Sequence, residues 1–317
     1  MVRYDDVEEQ PTDLDTNIKL DLTYKQYVDP NRPIPSGETT LVGGQEVDII
    51  NSGNGLYEDE YESGRYVYRG ANPNNYIEFN NELWRIISKE ADGTYKIIRN
   101  ETLGNKAFDG GRETECCSNS NHGCNAWSST ANMVGSPSEF SSGKYTGTVE
   151  ADSEMLTYLN GEFLGSVTVN HDKIINHDYN IGAVVVDNDD LTVQIEGEKA
   201  YKWNGNVGLI SVSDYIKANS NQELCGTNKI NYENYETCRN YDWMYINGTS
   251  WWTLSLRADT MNDVWYVYDD GSLSYAKGGF FGYGANDSYG VRPAVYLTSS
   301  LSLSGSGTES DPFTIVS

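Results

Sequence analysis

The chain has 317 residues, a formal net charge of -25 and a pI near 4.3. That length allows one large domain or two smaller ones with a sizeable core, and the charge repels polyanions, which excludes nucleic acid and anionic membrane surfaces as partners. There is no apolar run of membrane-spanning length, and Met1-Val2-Arg3-Tyr4-Asp5-Asp6 lacks the basic flank and apolar core of a signal peptide, so the chain as given reads as soluble.

Residues 1–50 are acidic and broken by Pro11, Pro30, Pro33 and Pro35, with short β-like runs at 18–24 and 46–50. This composition predicts a stalk or small strand-rich appendage. From Gly55 onward, β-branched and aromatic runs at Tyr66–Arg69, Tyr76–Phe79, 83–87 and Tyr95–Arg99 alternate with the turn signals Asn72-Pro73, Asn80-Asn81 and Asp92-Gly93, predicting an antiparallel meander. The Ser-, Gly- and Asn-rich stretch 109–148 reads as a long loop or insertion. A short capped helix is expected over 152–159, with Asn160-Gly161 just past its end, and a second over 213–219, opened by Ser211 or Ser213. Strands are expected at 181–186, 191–195 and 207–211, with Asp187-Asn188-Asp189-Asp190 as a solvated hairpin tip rather than a calcium loop. A hairpin follows at 264–268 and Leu273–Tyr275, then a Gly-rich loop, one strand over 290–297 and a last strand over 312–316. The fold class implied is α+β, a single domain from about residue 51 to 317 with an insertion near 109–148.

Five cysteines fall in two polar clusters, Cys116, Cys117 and Cys124, then Cys225 and Cys238. Local disulfides are expected: Cys225 with Cys238, and Cys124 with Cys116 or Cys117, leaving one thiol over. A zinc site would need a second ligand pair beside His122, and none stands there. Disulfides imply an extracytoplasmic setting. His171 and His177 lie six apart in a polar segment without a third partner and read as surface or capping residues. G-x-S-x-G, H-E-x-x-H and phosphate-cradling glycine loops are all missing from the sequence, so no enzyme activity, metal or cofactor is expected.

Between Trp251 and Tyr296 stand eleven aromatics in a segment without Cys, His or Glu, against 12% aromatics in the whole chain. Such a composition suits contact rather than chemistry, although ordinary strand and core packing would use the same residues. The candidate ligand-binding face comprises Arg257, Asp259, Met261, Asp263, Trp265, Tyr266, Tyr268, Tyr275, Phe280, Phe281, Tyr283 and Tyr289. Trp265 and the tyrosines would be anchors, with Arg257 and the aspartates setting polarity and register. On a strand Trp251 and Trp252 must face opposite ways, one into the core and the other towards the binding face. Arg292, before Pro293 in an apolar strand, is expected to make a structural ion pair or a backbone clamp.

Leu83-Trp84-Arg85-Ile86-Ile87, Trp251-Trp252-Thr253-Leu254-Ser255, Val267-Tyr268-Asp269-Asp270-Gly271-Ser272 and Gly290-Val291-Arg292-Pro293-Ala294 together resemble an uncharacterised family of exported Firmicutes surface proteins. The resemblance covers roughly residues 55–317 and implies a C-type lectin-like fold in the version shared with formylglycine-generating enzymes. Variable proteins of diversity-generating retroelements share that fold, and the segment 256–289 corresponds to their hypervariable stretch. The resemblance further implies cell-surface, adhesin-like ligand binding, with protein the favoured ligand and carbohydrate the alternative. A structural pilin-like subunit, with its membrane helix upstream of Met1, is a further alternative. The sequence departs from the enzymes in having no cysteine beyond Cys238, and from calcium-dependent lectins in having neither Glu-Pro-Asn nor Gln-Pro-Asp.

Overall fold

A computed structural model describes residues 29–110, 123–127, 152–186, 188, 190–227, 234–258, 260, 262–275 and 284–316. Its secondary structure is mixed and strand-rich, an α+β arrangement with a curled half-barrel sheet.

Strands β1 (Ile34–Val42) and β2 (Gln45–Ser52) form an antiparallel hairpin, and β2 runs parallel to β3 (Gly55–Glu58), which pairs antiparallel with β4 (Tyr66–Arg69). The expected appendage boundary near residue 50 therefore falls inside β2, whose Ile49 and Ile50 are buried. The expected meander forms only over β5 (Tyr76–Phe79), β6 (Glu82–Lys89) and β7 (Tyr95–Arg99), all antiparallel, because β4 pairs with β6 and not with β5, its neighbour in sequence. Asn80 and Asn81 both take positive φ, 55° and 57°, the pairing a two-residue type I′ turn requires. One edge of β6 is shared, β5 along its first half and β4 at its end, while β7 takes the other edge.

After β8 (Asn105–Ala107), helix α1 (Glu154–Tyr158) is capped by the Ser153 hydroxyl, which accepts from the Leu156 N–H. The expected stop at Asn160-Gly161 does not occur: a π turn over Leu159–Phe163 leads directly into α2 (Leu164–Ser166). Asn160 instead holds both backbone groups of Val207, donating to its O at 2.9 Å and accepting from its N at 3.1 Å. Short strands β9 (Ile174–Ile175), β10 (His177–Asn180) and β11 (Ala183–Val184) come next.

The strand expected over 191–195 is a helix, α3 (Leu191–Lys199). Asp190, expected at a hairpin tip, is its N-cap and accepts from Thr192 N at 2.9 Å, so Asp190 opens a helix; Asp187 and Asp189 lie outside the described residues. Leu191 and Ile195, one turn apart, point inward. Strand β12 (Lys202–Gly205) pairs with β10 in a separate two-stranded sheet. Of the strand expected over 207–211, only β13 (Val207–Gly208) forms, because Ser211 is taken as the cap of α4 (Val212–Ala218) in a capping box with Asp214. Short helices α5 (Gln222–Cys225) and α6 (Tyr235–Cys238) are joined by the expected Cys225–Cys238 disulfide. Cys124 is also disulfide-bonded, while Cys116 and Cys117 lie outside the described residues.

The second large sheet centres on β14 (Trp251–Arg257), flanked antiparallel by β15 (Val264–Val267), which pairs in turn with β16 (Leu273–Tyr275). The other edge of β14 carries β17 (Ser288–Gly290) and β11, both parallel. The single strand expected over 290–297 is thus two: β17 in this sheet and β18 (Ala294–Leu297) in the first, beside β7. Pro293 cannot donate to a ladder, so the chain leaves one sheet there and joins the other. Strands β19 (Ser302–Ser304) and β20 (Phe313–Val316) close the chain, with β20 parallel to β5.

Among the described residues, period-two alternation sorts the side chains into two large cores, beside a small cluster of Ile50, Tyr57 and Val67. Trp84, Ile86, Tyr95, Ile97, Trp252, Leu254 and Leu256 pack in one. Ile87, Ile98, Trp251, Trp265 and Val267 pack in the other, under Tyr215 and Ile216 of α4.

Candidate functional site

The aromatic face divides across a sheet. Trp265 on β15 is 3% exposed and lies in the core beneath α4, so it is no surface anchor. Tyr266 points the other way, stacked on Tyr289 with ring centroids 4.3 Å apart, and both meet Trp252 edge-on. Trp251 and Trp252 do face opposite ways, but both are fully buried, so neither floors an open face. Tyr268, 37% exposed, meets Tyr266 edge-on with ring centroids 6.1 Å apart. Arg257 and buried Asp263 form an ion pair at 2.8 Å across the β14–β15 connection. Tyr275 pairs through its backbone with Trp265. Asp259, Met261, Phe280, Phe281 and Tyr283 lie outside the described residues.

Arg292 is a backbone clamp. Its guanidinium donates to the carbonyls of Arg99 (3.1 Å), Met244 (2.9 Å) and Asn100 (3.2 Å) and lies 4.7 Å over the Trp251 ring. Burial, with repulsion from Arg85, pulls its pKa down to about 9, which leaves it charged at neutral pH.

The most chemically furnished concavity is elsewhere, a polar cleft of about 460 Å³ between the β6–β7 turn, β10, α3 and α4. At its base Arg65 bonds Asp59 (2.6 Å), Glu90 (3.0 Å), Ser88 (3.0 Å) and Asp214 (3.1 Å). Lys96 reaches Asp214 at 2.6 Å and Lys217 reaches Asp59 at 2.8 Å. Three cations thus meet three carboxylates, all with nearly buried side chains. Burial alone would raise the pKa of Asp214, but Lys96 and Arg65 hold it well below the usual carboxylate range; for Asp59 burial is likewise opposed by Arg65 and Lys217, and its pKa is lowered. Glu198 goes the other way, pushed up by burial even though Ser213 and Ser255 both donate to it.

The rim of the cleft is paired too: Lys199 with Glu62 at 2.6 Å, Lys202 with Asp178 at 3.5 Å, and His177 with Asp92 at 3.2 Å. The His177 ring stacks on Tyr296, centroids 3.8 Å apart, and so forms part of the wall rather than a capping position. Asn176, Asn180 and Asn204 add amide donors and acceptors. Among the described residues no group of His, Cys, Asp and Glu could hold a metal ion.

No motif announces this cleft, because its residues come from segments far apart: Arg65 stands 149 positions from Asp214, and Lys96 stands 118. Two signals were present. Lys96 sits between Tyr95 and the apolar pair Ile97-Ile98, where a lysine needs a buried partner, and Ser211 with Asp214 has capping-box spacing.

Residues 140–299, half of the chain, match the family described as Domain of unknown function (DUF6273), and the chain belongs to that family. The matched stretch supplies His177, Asp214, Lys217 and Tyr296 to the cleft, whereas Arg65, Glu90, Asp92 and Lys96 precede it. No curated protein and no solved structure matches the chain.

Proposed function

We propose that this chain is an extracytoplasmic, cell-surface ligand-binding protein on a C-type lectin-like domain, and that the charged cleft holds an uncharged, polyhydroxylated ligand of the carbohydrate class. The observation that carries this reading is charge compensation. In a chain of net charge -25, the base of the cleft matches three cations to three carboxylates. A charged ligand would have to break one of these pairs and leave its partner buried and uncompensated. Hydroxyl groups, donors and acceptors at once, can join the rim amides and carboxylates without breaking any. The disulfide supports an extracytoplasmic setting, and among the described residues no helix is long and apolar enough to cross a membrane.

The test is calorimetric titration of the full chain with neutral oligosaccharides, amino acids and dicarboxylates, alongside the rim variant D178A/K202A. Neutral saccharides should bind, and the variant should weaken them by about tenfold for each hydrogen bond it removes. Preferential binding of a charged ligand, or saccharide binding untouched by the rim variant, would overturn the reading.

A second reading keeps protein as the ligand, bound on the aromatic side of β15 and diversified over 256–289. It rests on Tyr268, the exposed ring set edge-on against the Tyr266–Tyr289 stack. Comparing codons 256–289 across isolates tests it: substitutions confined to adenine-derived sites support it, and an invariant segment removes it.

A further inference from the structure

One part of the charged cleft is built differently from its ion-paired base. Where α3, the first turn of α4 and β14 come together, the cleft is lined by Ser211 and Ser213 together with Ile195 and Leu254. Ile195 and Leu254 are the only aliphatic residues among the described residues lining it. Beside the serines lies Glu198, which is buried. Ser213 donates to it twice, through its N–H at 3.2 Å and through its hydroxyl, and the Ser255 hydroxyl donates at 2.6 Å.

The direction of these bonds fixes what the two cleft serines can offer a ligand. A hydroxyl has one proton and two lone pairs. With Glu198 ionised, the Ser213 proton goes to the carboxylate, so in the 3.0 Å contact between the two hydroxyls Ser211 donates and Ser213 accepts. Ser211 also accepts from the Asp214 N–H at 3.2 Å. Both protons are thus spent within the protein, and each oxygen keeps one lone pair. The patch accepts hydrogen bonds and donates none.

We propose that the ligand of the cleft is an N-acetylated amino sugar, with the acetamido N–H on the serine oxygens and its methyl group on Ile195 and Leu254. This inference rests on the saccharide reading of the cleft and adds the class of sugar. An amide N–H donates and does not accept, which matches an acceptor-only patch, whereas a hydroxyl placed there would leave its own lone pairs without a donor. The methyl group removes aliphatic surface from water, which a hydroxyl cannot do.

Chitotriose and cellotriose share a β-1,4-linked glucose backbone and differ in the group at carbon 2, acetamido in one and hydroxyl in the other. In calorimetric titrations of the full chain, chitotriose should bind about tenfold more tightly, the combined worth of a buried methyl and a matched hydrogen bond. In Glu198→Gln the amide oxygen stays on the Ser213 N–H and the amide nitrogen donates to the Ser213 hydroxyl, so the proton chain reverses and Ser211 gains a proton to give. The preference for chitotriose should then collapse, while cellotriose, whose hydroxyl both donates and accepts, keeps its affinity. Equal binding of the two sugars by the parent chain, or tighter binding of cellotriose, would overturn the proposal and leave the saccharide reading standing; this comparison decides even where the variant fails to fold. A preference that survives E198Q in folded protein would overturn it as well. If neither sugar binds, the proposal falls, and titration with the other neutral oligosaccharides shows whether the saccharide reading falls with it.

Discussion

Arg292 shows how a single side chain ties three segments together. Its donors satisfy carbonyls of Arg99, Asn100 and Met244, which lie on two chain segments far from its own. Lysine offers a point charge and cannot span three carbonyls in a plane, so R292K should cost about 3 kcal/mol or more in urea unfolding; an unchanged midpoint would show that the clamp is idle. Nearby Asp242 is buried, and that burial pushes its pKa from 3.8 up to about 8, against the Met244 N–H and the Arg292 charge. Because the folded value lies above the unfolded one, folding favours the protonated acid. Its contribution is complete below about pH 4 and is lost as pH rises through about 8. D242N should therefore flatten the fall of the thermal midpoint between these limits, most visibly at the alkaline end; a parallel curve for the variant would remove Asp242 as the cause.

At the scale of elements, the Asn80-Asn81 turn fixes how β5 meets β6. Both residues hold positive φ, and the Asn80 side chain also accepts from Thr168 N (2.9 Å) and Val169 N (3.1 Å). Asn81→Ala should cost about 1 kcal/mol through backbone strain alone, and Asn80→Ala about 2 kcal/mol or more because two hydrogen bonds go with it. Equal losses in chemical denaturation would mean that the reach to 168–169 contributes nothing. The helix over Leu191–Lys199 teaches a related lesson. Its β-branched run reads as a strand, yet Asp190 supplies a cap and Gln194 ties its amide to Val185 on both sides. Local capping and one side-chain anchor outweigh the weak propensity of a short run.

For the whole molecule, the Cys225–Cys238 disulfide closes a short loop, with a sequence separation of 13, beside α4 and the second core. Replacing both cysteines by serine should lower stability by about 3 kcal/mol in urea titration. Under reducing conditions the parent chain should approach the variant, and a parent indifferent to reductant would contradict this. The same packing that buries the disulfide brings Asp214 and Lys217 of α4 over β7 and the β3–β4 hairpin, where Arg65, Asp59 and Lys96 wait. The cleft is therefore a product of two sheets and a helix meeting, and its ion pairs fix their relative placement.

What the sequence determined by itself was short-range. The β5–β6–β7 part of the meander, a helix capped by Ser211 or Ser213, the Val264–Val267 and Leu273–Tyr275 hairpin, the Cys225–Cys238 bond and the opposed directions of Trp251 and Trp252 follow from turn residues, caps and the period of a strand. Those signals act within a few residues of one another, so a linear reading can see them. Only the tertiary structure decided which aromatic residues reach solvent, since burial of Trp265 or exposure of Tyr268 depends on what packs over each side of β15. It also decided the break at Pro293, the closing of the first sheet through Gly43 and Leu303, and the meeting of Lys96 with Asp214 across 118 positions. These depend on sheet register and long-range packing, which no local pattern encodes.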